Sequence, residues 1–260
     1  MRRSILCSIV LLFLSLAMPV TAEVVTTEHS YTRDGVTFAG TVAVPEDVER
    51  SRPGVLIVHQ WKGITDYERR RARQLAELGY VAFTADIYGA DTRPKTNHEA
   101  ALASKTFRKD RNLYRRRVRA ALAELRSFDE VRNNDVAAIG YCFGGTGVLE
   151  LARSGANVDA VVSFHGGLSN SNPEENDRIR ATVQVHHGAE DPHVPQKSVN
   201  DFWEEMNQSQ TDWELHVYSD AVHSFTEKEA GNDPSSGSAY NPRADRLSWA
   251  AMKRLFREEF

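Results

Sequence analysis

Residues 140–145 read Gly-Tyr-Cys-Phe-Gly-Gly, a glycine-rich stretch with a cysteine near its centre. The apolar residues 136–139 before it are typical of a buried strand, whereas residues 147–153 after it have a helical pattern. Cys142 therefore lies at a predicted strand-to-helix turn, with the Gly-x-Cys-x-Gly spacing of a nucleophile elbow. Glycine suits such a turn because larger side chains two residues from the nucleophile would collide with the adjacent strand and helix.

The Cys142 thiol would gain from this position, because the partial positive charge at a helix N-terminus favours a thiolate. A core cysteine beside a glycine-rich turn is the alternative, since free cysteines are often buried. The chain has two cysteines, and Cys7 lies in a segment that we expect to be removed. A lone thiol in an oxidising compartment is a hazard unless it is buried or used, which favours a nucleophile and leaves oxidation as an open risk.

Residues 1–22 have the pattern of a secretory signal peptide. Arg2 and Arg3 form a basic start, residues 5–18 are almost wholly apolar, and small residues precede Glu23. The apolar run is short for a permanent membrane span. We predict cleavage after residue 22 and export to the periplasm or the medium, with no stable membrane insertion of the mature chain; an uncleaved N-terminal anchor is the alternative.

Residues 23–260 are predicted to form one domain with its own core. The chain has 32 basic and 36 acidic residues, and the predicted signal holds two basic residues and no acidic one, so the mature net charge is −6. This balance argues against nucleic acid as the main partner. A basic stretch at residues 111–119 is interpreted as the solvated face of a helix that covers the sheet, without an assigned function.

The order of the remaining elements predicts an α/β fold. Residues 24–44 partly alternate apolar and polar side chains and carry turn signals at 33–35 and 39–40, which indicates an antiparallel hairpin at a sheet edge. A strand at 55–58, a helix at 66–78 and a strand at 80–85 then form a βαβ unit with a parallel pair of strands. Further strands are predicted at 158–164, 182–186 and 213–218, helices within 97–128 and at 195–206 and 242–256, and a surface loop at 227–241.

Two residues after the elbow meet the needs of a cysteine nucleophile, which requires a base and an acid that orients the base. Asp191 follows the predicted strand at 182–186, and His223 follows the strand at 213–218. The order nucleophile, acid, histidine is that of elbow-type hydrolases. Alone, Asp191 would fit a turn before Pro192, and His223 a cap or a surface position.

With these residues in place, the chain resembles the dienelactone hydrolase family of α/β-hydrolases. The resemblance rests on the elbow at 140–145, the His-Gly-x-x-Asp-Pro loop at 187–192 and the His-x-Phe step at 223–225, with further similarity at 58–63 and 85–89. It covers essentially the whole mature chain. It implies an α/β-hydrolase fold with a mostly parallel sheet and helices on both faces, no cofactor, and hydrolysis of a small ester or lactone.

The resemblance also implies roles. Cys142 attacks the carbonyl carbon to form a thiol ester, His223 transfers the proton, and Asp191 holds the imidazole. The backbone N–H groups of Trp61 and Phe143 form the oxyanion hole.

Two positions depart from the family prototype, which has a glutamate where this chain has Gln60 and an arginine where this chain has Glu227. Gln60 cannot take up a proton as a carboxylate does, so we expect His223 to act directly on the thiol. Glu227 argues against an anionic dienelactone as the substrate. Gln60 and Tyr88 are possible pocket residues, and the aromatic neighbours of the elbow suggest a modest hydrophobic pocket.

Other readings stay open. Ligand-type side chains crowd residues 186–193, but adjacent strand residues such as His186 and His187 point to opposite faces, so we expect no metal. His59 and His165, near predicted strand ends, would line the pocket or cap the core. A non-catalytic small-molecule-binding protein and a redox-reactive thiol protein are the rival functions. The natural substrate and the oligomeric state do not follow from the sequence.

Overall fold

The computed structural model describes residues 23–46, 50–170 and 172–260, so the predicted signal segment 1–22 lies outside the described residues. The strands are β1 (Val24–Arg33), β2 (Val36–Pro45), β3 (Arg52–Val58), β4 (Val81–Ala85), β5 (Val131–Tyr141), β6 (Ala160–Phe164), β7 (Thr182–Gly188) and β8 (Trp213–Tyr218). The α-helices are α1 (Asp66–Glu77), α2 (Asn97–Lys109), α3 (Arg111–Leu125), α4 (Phe143–Arg153), α5 (Gln196–Gln208) and α6 (Pro242–Glu259).

The strands form one sheet in the order β1-β2-β4-β3-β5-β6-β7-β8. β1 pairs with β2, and β2 with β4, in antiparallel fashion, whereas every pair from β4 to β8 is parallel. The predicted edge hairpin and the mostly parallel sheet are therefore confirmed. The chain leaves β3 for β4 on one side and returns to β5 on the other, so the strand order reverses between β3 and β5. Ligands of open α/β sheets bind at the carboxyl ends of strands at such a reversal.

Helices cover both faces of the sheet, as predicted. In β3, Leu56 and Val58 pack in a core with α2, α3, α4 and α5, whereas Val55 and Ile57 pack in a second core with α1 and α6. All four side chains are fully buried, and each such burial contributes about 1.5–3 kcal/mol. This two-sided burial explains why the β3 sequence is continuously apolar rather than alternating.

The helical segment at 97–128 is broken into α2 and α3 at Asp110. The Asp110 side chain accepts a hydrogen bond from the Leu113 N–H at 2.8 Å and so caps α3. Asp110 has φ −105° and ψ 84°, which ends α2. Within the described ranges, no helix combines the length and the apolar character that a membrane span needs.

Candidate active site

Cys142 lies between β5 and α4, at the predicted strand-to-helix turn. Its backbone has φ 53° and ψ −112°, a conformation that costs a non-glycine residue about 1–3 kcal/mol. A Cβ atom on Gly140 would lie 2.1 Å from the Gly144 carbonyl oxygen, and one on Gly144 would lie 2.1 Å from the Val58 carbonyl oxygen. The glycines of the elbow are therefore required by close backbone approach.

The structure brings Cys142, His223 and Asp191 together from three different loops. The His223 Nδ1 atom lies 2.8 Å from the Asp191 Oδ2 atom, and the Cys142 thiol lies close enough to the His223 ring for the two groups to stabilise each other's charge. The other Asp191 oxygen accepts the His193 N–H at 2.8 Å, which fixes the carboxylate. All three predicted residues are less than one-tenth exposed.

The electrostatics of these groups favour a charged pair. Burial opposes ionisation of the Cys142 thiol, but His223, Arg108 and a hydrogen bond from the Phe143 N–H together lower its pKa. Burial also opposes the imidazolium, yet the charge of Cys142 and the hydrogen bond to Asp191 raise the pKa of His223 to about 10. Burial likewise opposes the Asp191 carboxylate, and its bonds to His223 and His193 lower its pKa. The arrangement therefore favours a thiolate beside an imidazolium.

Two backbone donors are available near the thiol. The Phe143 N–H points to the Cys142 sulfur. Trp61 follows β3 and lines the same cavity as Cys142, and its N–H has no protein partner among the hydrogen bonds of the described residues. The Tyr88 hydroxyl donates to the Trp61 carbonyl oxygen at 2.7 Å and holds this loop in place.

The cavity above the thiol has a volume of about 570 Å³ and carries a positively charged rim. Lys105, Arg108 and Arg111 line it from the end of α2 and the start of α3, and no aspartate or glutamate of the described ranges does. Most of the basic stretch at 111–119 is a partly or fully exposed helix face, as predicted. Arg111 is also partly exposed, but it differs from the rest of the stretch because it lines the cavity. The sequence feature that indicates this rim is Asp110, a preferred helix N-cap residue between two basic residues, at which α2 ends and α3 begins.

Gln60, Tyr88 and Phe143 do not line this cavity, whereas Trp61 does. Tyr88 and Phe143 are buried beneath the loop. The Gln60 N–H donates to Glu68 Oε1 at 3.1 Å, and the Gln60 side chain lies beside Glu227, whose pKa it lowers against the effect of burial. Gln60 thus supports the Trp61 loop from behind.

His59 and His165 are fully buried and support the site from below rather than line it. The His165 Nδ1 atom accepts the Cys142 N–H at 3.1 Å, and its Nε2 atom lies 2.8 Å from the Thr226 hydroxyl. Nδ1 therefore carries the lone pair, and His165 fixes the elbow backbone as a neutral ring.

The histidines at the end of β7 have separate surroundings. His186 is hydrogen-bonded to Tyr218 at 2.9 Å and to Gln184 at 3.0 Å, whereas His187 faces Asp191 and His223. Among the described residues, no three histidine, cysteine, aspartate or glutamate side chains are grouped so that they could hold a metal ion.

Comparison with known proteins gives consistent matches. The model of the Dienelactone hydrolase family matches residues 38–260. The solved structure named m3DLH is 39% identical with a TM-score of 0.87, over 91% of this chain and 99% of that one. A dienelactone hydrolase-like promiscuous phosphotriesterase, P91, from metagenomic libraries is 38% identical with the same TM-score and coverage. A probable 2-oxo-3-(5-oxofuran-2-ylidene)propanoate lactonase of Bradyrhizobium sp. is 28% identical over 76% of this chain and 84% of its own length.

Proposed function

Because the chain belongs to the dienelactone hydrolase family, we propose that it hydrolyses small carboxylic esters or lactones through Cys142, His223 and Asp191. Family membership makes the chain a hydrolase of carboxylic ester bonds; the residues, the intermediate and the substrate are the subject of the proposal. The observation that carries it is the 2.8 Å contact between the Asp191 carboxylate and the His223 imidazole, with the Cys142 thiol of the elbow beside the same imidazole in one cavity.

The mechanism follows from this line. The Cys142 sulfur adds to the carbonyl carbon, and the carbonyl electron pair moves onto oxygen, where the N–H groups of Phe143 and Trp61 stabilise it. The tetrahedral intermediate collapses to a thiol ester as His223 protonates the leaving alkoxide. Water, deprotonated by His223, then attacks the thiol ester and releases the acid and the thiol. Asp191 keeps the imidazole in one tautomer throughout.

Gln60 has no part in proton transfer in this scheme, since an amide is not a general base at neutral pH. The lowered pKa of Cys142 supports direct activation by His223, because after burial the imidazole charge and its hydrogen bond are the next largest influences on the thiol.

The rim of the cavity indicates the class of substrate. One lysine and two arginines line it, and no carboxylate of the described residues does, so we propose an ester or lactone that also carries an anionic group, such as a carboxylate or a phosphate. The sequence argued against an anionic substrate because Glu227 replaces the arginine of the family prototype. The rim supplies positive charge from α2 and α3 instead.

Phosphotriester hydrolysis is a second candidate function. One relative is named a promiscuous phosphotriesterase and is 38% identical to this chain. The cationic rim would favour the negative charge that develops on a phosphoryl oxygen. Assays with an aryl dialkyl phosphate and with the aryl ester distinguish phosphotriester hydrolysis from carboxylic ester hydrolysis. If the aryl dialkyl phosphate is not hydrolysed, the second candidate function is refuted.

The test of the main proposal is hydrolysis of a short-chain aryl ester and a simple lactone under reductant. Cys142→Ala and His223→Ala should each lose at least about 1,000-fold in kcat. Ser169→Ala is the matched control, because it removes a hydroxyl from the same cavity and should keep the activity. Equal turnover by all variants would refute the triad, and saturable ligand binding without turnover would favour a binding protein. Reversible oxidation of Cys142 by peroxide at physiological doses, without turnover, would favour the redox protein.

We also propose that residues 1–22 direct export, on the strength of the basic start, the apolar run and the small residues before Glu23. Cell fractionation with N-terminal sequencing of the mature chain tests this. A mature N-terminus at Glu23 outside the cytoplasm supports it, whereas an intact N-terminus in the membrane fraction would indicate an anchor.

A further inference from the structure

His59 is a fully buried histidine at the end of β3 with a hydrogen bond at each ring nitrogen. Its Nε2 atom accepts the Ile87 N–H at 3.2 Å. Nε2 therefore carries the lone pair, and the proton of the neutral ring lies on Nδ1. Nδ1 lies 2.5 Å from the Gln60 carbonyl oxygen and donates to it. Burial lowers the pKa of His59 to about 4, which agrees with a neutral ring.

The hydrogen bond to the Gln60 carbonyl determines where the next N–H points. The Gln60 oxygen accepts from His59 Nδ1 and, at 3.1 Å, from the Gly63 N–H. The described peptide bonds are all trans, and in a trans peptide the C=O and the N–H point in opposite directions. Fixing the Gln60 oxygen on one side of the loop therefore fixes the Trp61 N–H on the other.

The neighbouring backbone N–H and C=O groups of the loop have hydrogen-bond partners, whereas the Trp61 N–H is without one among the described residues. The Gln60 N–H donates to Glu68 at 3.1 Å, and the Trp61 oxygen accepts from Tyr88 at 2.7 Å. The Trp61 N–H has no hydrogen-bond partner among the described residues, although Trp61 lines the cavity beside Cys142. A donor that is held but unused is what an oxyanion hole requires.

We infer that His59 is a positioning residue of the oxyanion hole, whose neutral ring holds the Gln60–Trp61 peptide so that the Trp61 N–H meets the substrate oxygen. The inference rests on the proposed function. The same ring stacks on Phe143, with 5.7 Å between ring centroids and 16° between planes. One imidazole thus contacts both residues whose N–H groups would bind the oxyanion. Its bond to Ile87 ties it to the loop after β4 as well.

Two substitutions separate the two ring nitrogens. His59→Asn can keep an amide donor near the Nδ1 position, and His59→Gln can keep an acceptor near the Nε2 position while it loses the donor to Gln60. We expect His59→Gln to lose about 100-fold in kcat with little change in KM, as for loss of one oxyanion donor. His59→Asn should stay within about 10-fold of the wild type. Equal losses in both variants, or full activity of His59→Gln, would overturn the inference.

A second pair of measurements does not depend on ester turnover. The Cys142 sulfur adds to the carbonyl carbon of a substrate-like aldehyde and gives a tetrahedral adduct with its oxygen in the oxyanion hole. The same sulfur attacks the methylene carbon of iodoacetamide and displaces iodide, so that reaction forms no oxyanion. His59→Gln should weaken aldehyde binding as much as it lowers kcat and leave the alkylation rate unchanged. If alkylation falls in parallel, His59 acts on the thiol, and the inference is wrong.

The outcomes distinguish the inference from the proposed function. If the wild type forms the aldehyde adduct but cleaves no ester, the proposed function is refuted. The aldehyde affinity of His59→Gln relative to that of the wild type would then still decide the role of His59. Wild type that does neither refutes both. His186→Gln is the control for loss of a buried imidazole with a hydrogen bond at each ring nitrogen. It should lower the Tm without changing the aldehyde affinity or the alkylation rate. If His59→Gln does not fold, Tyr88→Phe, which frees the Trp61 carbonyl, should give a smaller loss of the same pattern, and an unchanged aldehyde affinity would overturn the inference.

Discussion

The Gln60 side chain lies beside Glu227 and favours its ionised carboxylate, although the two residues lie on loops far apart in sequence. By resemblance to the family prototype, these are the two positions where a glutamate and an arginine are replaced. The changes are therefore coupled: a glutamate at position 60 would face the carboxylate of Glu227, whereas glutamine favours that carboxylate. Burial, the largest influence, raises the pKa of Glu227, and Gln60 opposes that rise.

Gln60→Glu should accordingly destabilise the fold at alkaline pH. Two carboxylates about 4 Å apart repel by about 4 kcal/mol at an effective dielectric constant of about 20, so we expect a loss on the order of 2 kcal/mol. The repulsion raises the pKa of the two carboxyl groups in the folded state above their value in the unfolded chain. The loss of stability is therefore largest at pH values above that raised pKa and shrinks as the pH falls through it. Urea denaturation at about pH 8 and at about pH 5, above and near the ordinary pKa of a glutamate, measures this loss of unfolding free energy.

The double variant Gln60→Glu with Glu227→Arg is the control for that prediction. It restores opposite charges and should recover most of the lost free energy of unfolding at pH 8, so a double-mutant cycle gives a favourable coupling. A cycle with no coupling would contradict contact between the two side chains.

Gly144→Ala should destabilise the protein despite better helix propensity. Alanine in place of a helical glycine normally stabilises by about 1 kcal/mol, but here the new Cβ would lie 2.1 Å from the Val58 carbonyl oxygen. We expect a loss of more than about 3 kcal/mol, measured by urea denaturation. Gly35→Ala, where nothing lies within 4 Å and φ is 72°, should lose only about 1–2 kcal/mol. A stabilised Gly144→Ala variant would contradict the close approach.

The alkylation of Cys142 should titrate at lower pH than that of an ordinary cysteine, whose pKa is about 8.5. His223→Ala should move the titration upward, because burial opposes the thiolate and would no longer be offset by the imidazole. Asp191→Asn should move it upward by less, since His223 remains. Iodoacetamide rates over about pH 5–10 measure the midpoint, with His29→Ala as a remote control. An unchanged midpoint in His223→Ala would show that the imidazole does not activate the thiol.

Local constraints made the elbow predictable, whereas the cavity depended on packing between distant segments. The spacing of Gly140, Cys142 and Gly144 reports a steric requirement within five residues, so the sequence alone located the turn. The positions of Asp191 and His223 followed from strand order. The direction of the Gln60 side chain depends on Glu227, and the cavity contacts of Arg108 depend on the break at Asp110, so neither could be inferred from periodicity.

Charge reversal at Arg108 or Arg111 should weaken binding of an anionic ester more than that of a neutral one. A partly exposed charge contact contributes about 0.2–1 kcal/mol, so removing one and adding a repulsion should raise KM for the anionic ester about 10-fold, less at high salt. The neutral ester should change by less than about 3-fold with Arg111→Glu. Arg116→Glu, on the exposed face of α3 away from the cavity, is the matched control for net charge. KM values for an ester pair of equal size with and without a carboxylate test this. Equal shifts for both esters, or an equal effect of Arg116→Glu, would mean that the rim does not select for charge.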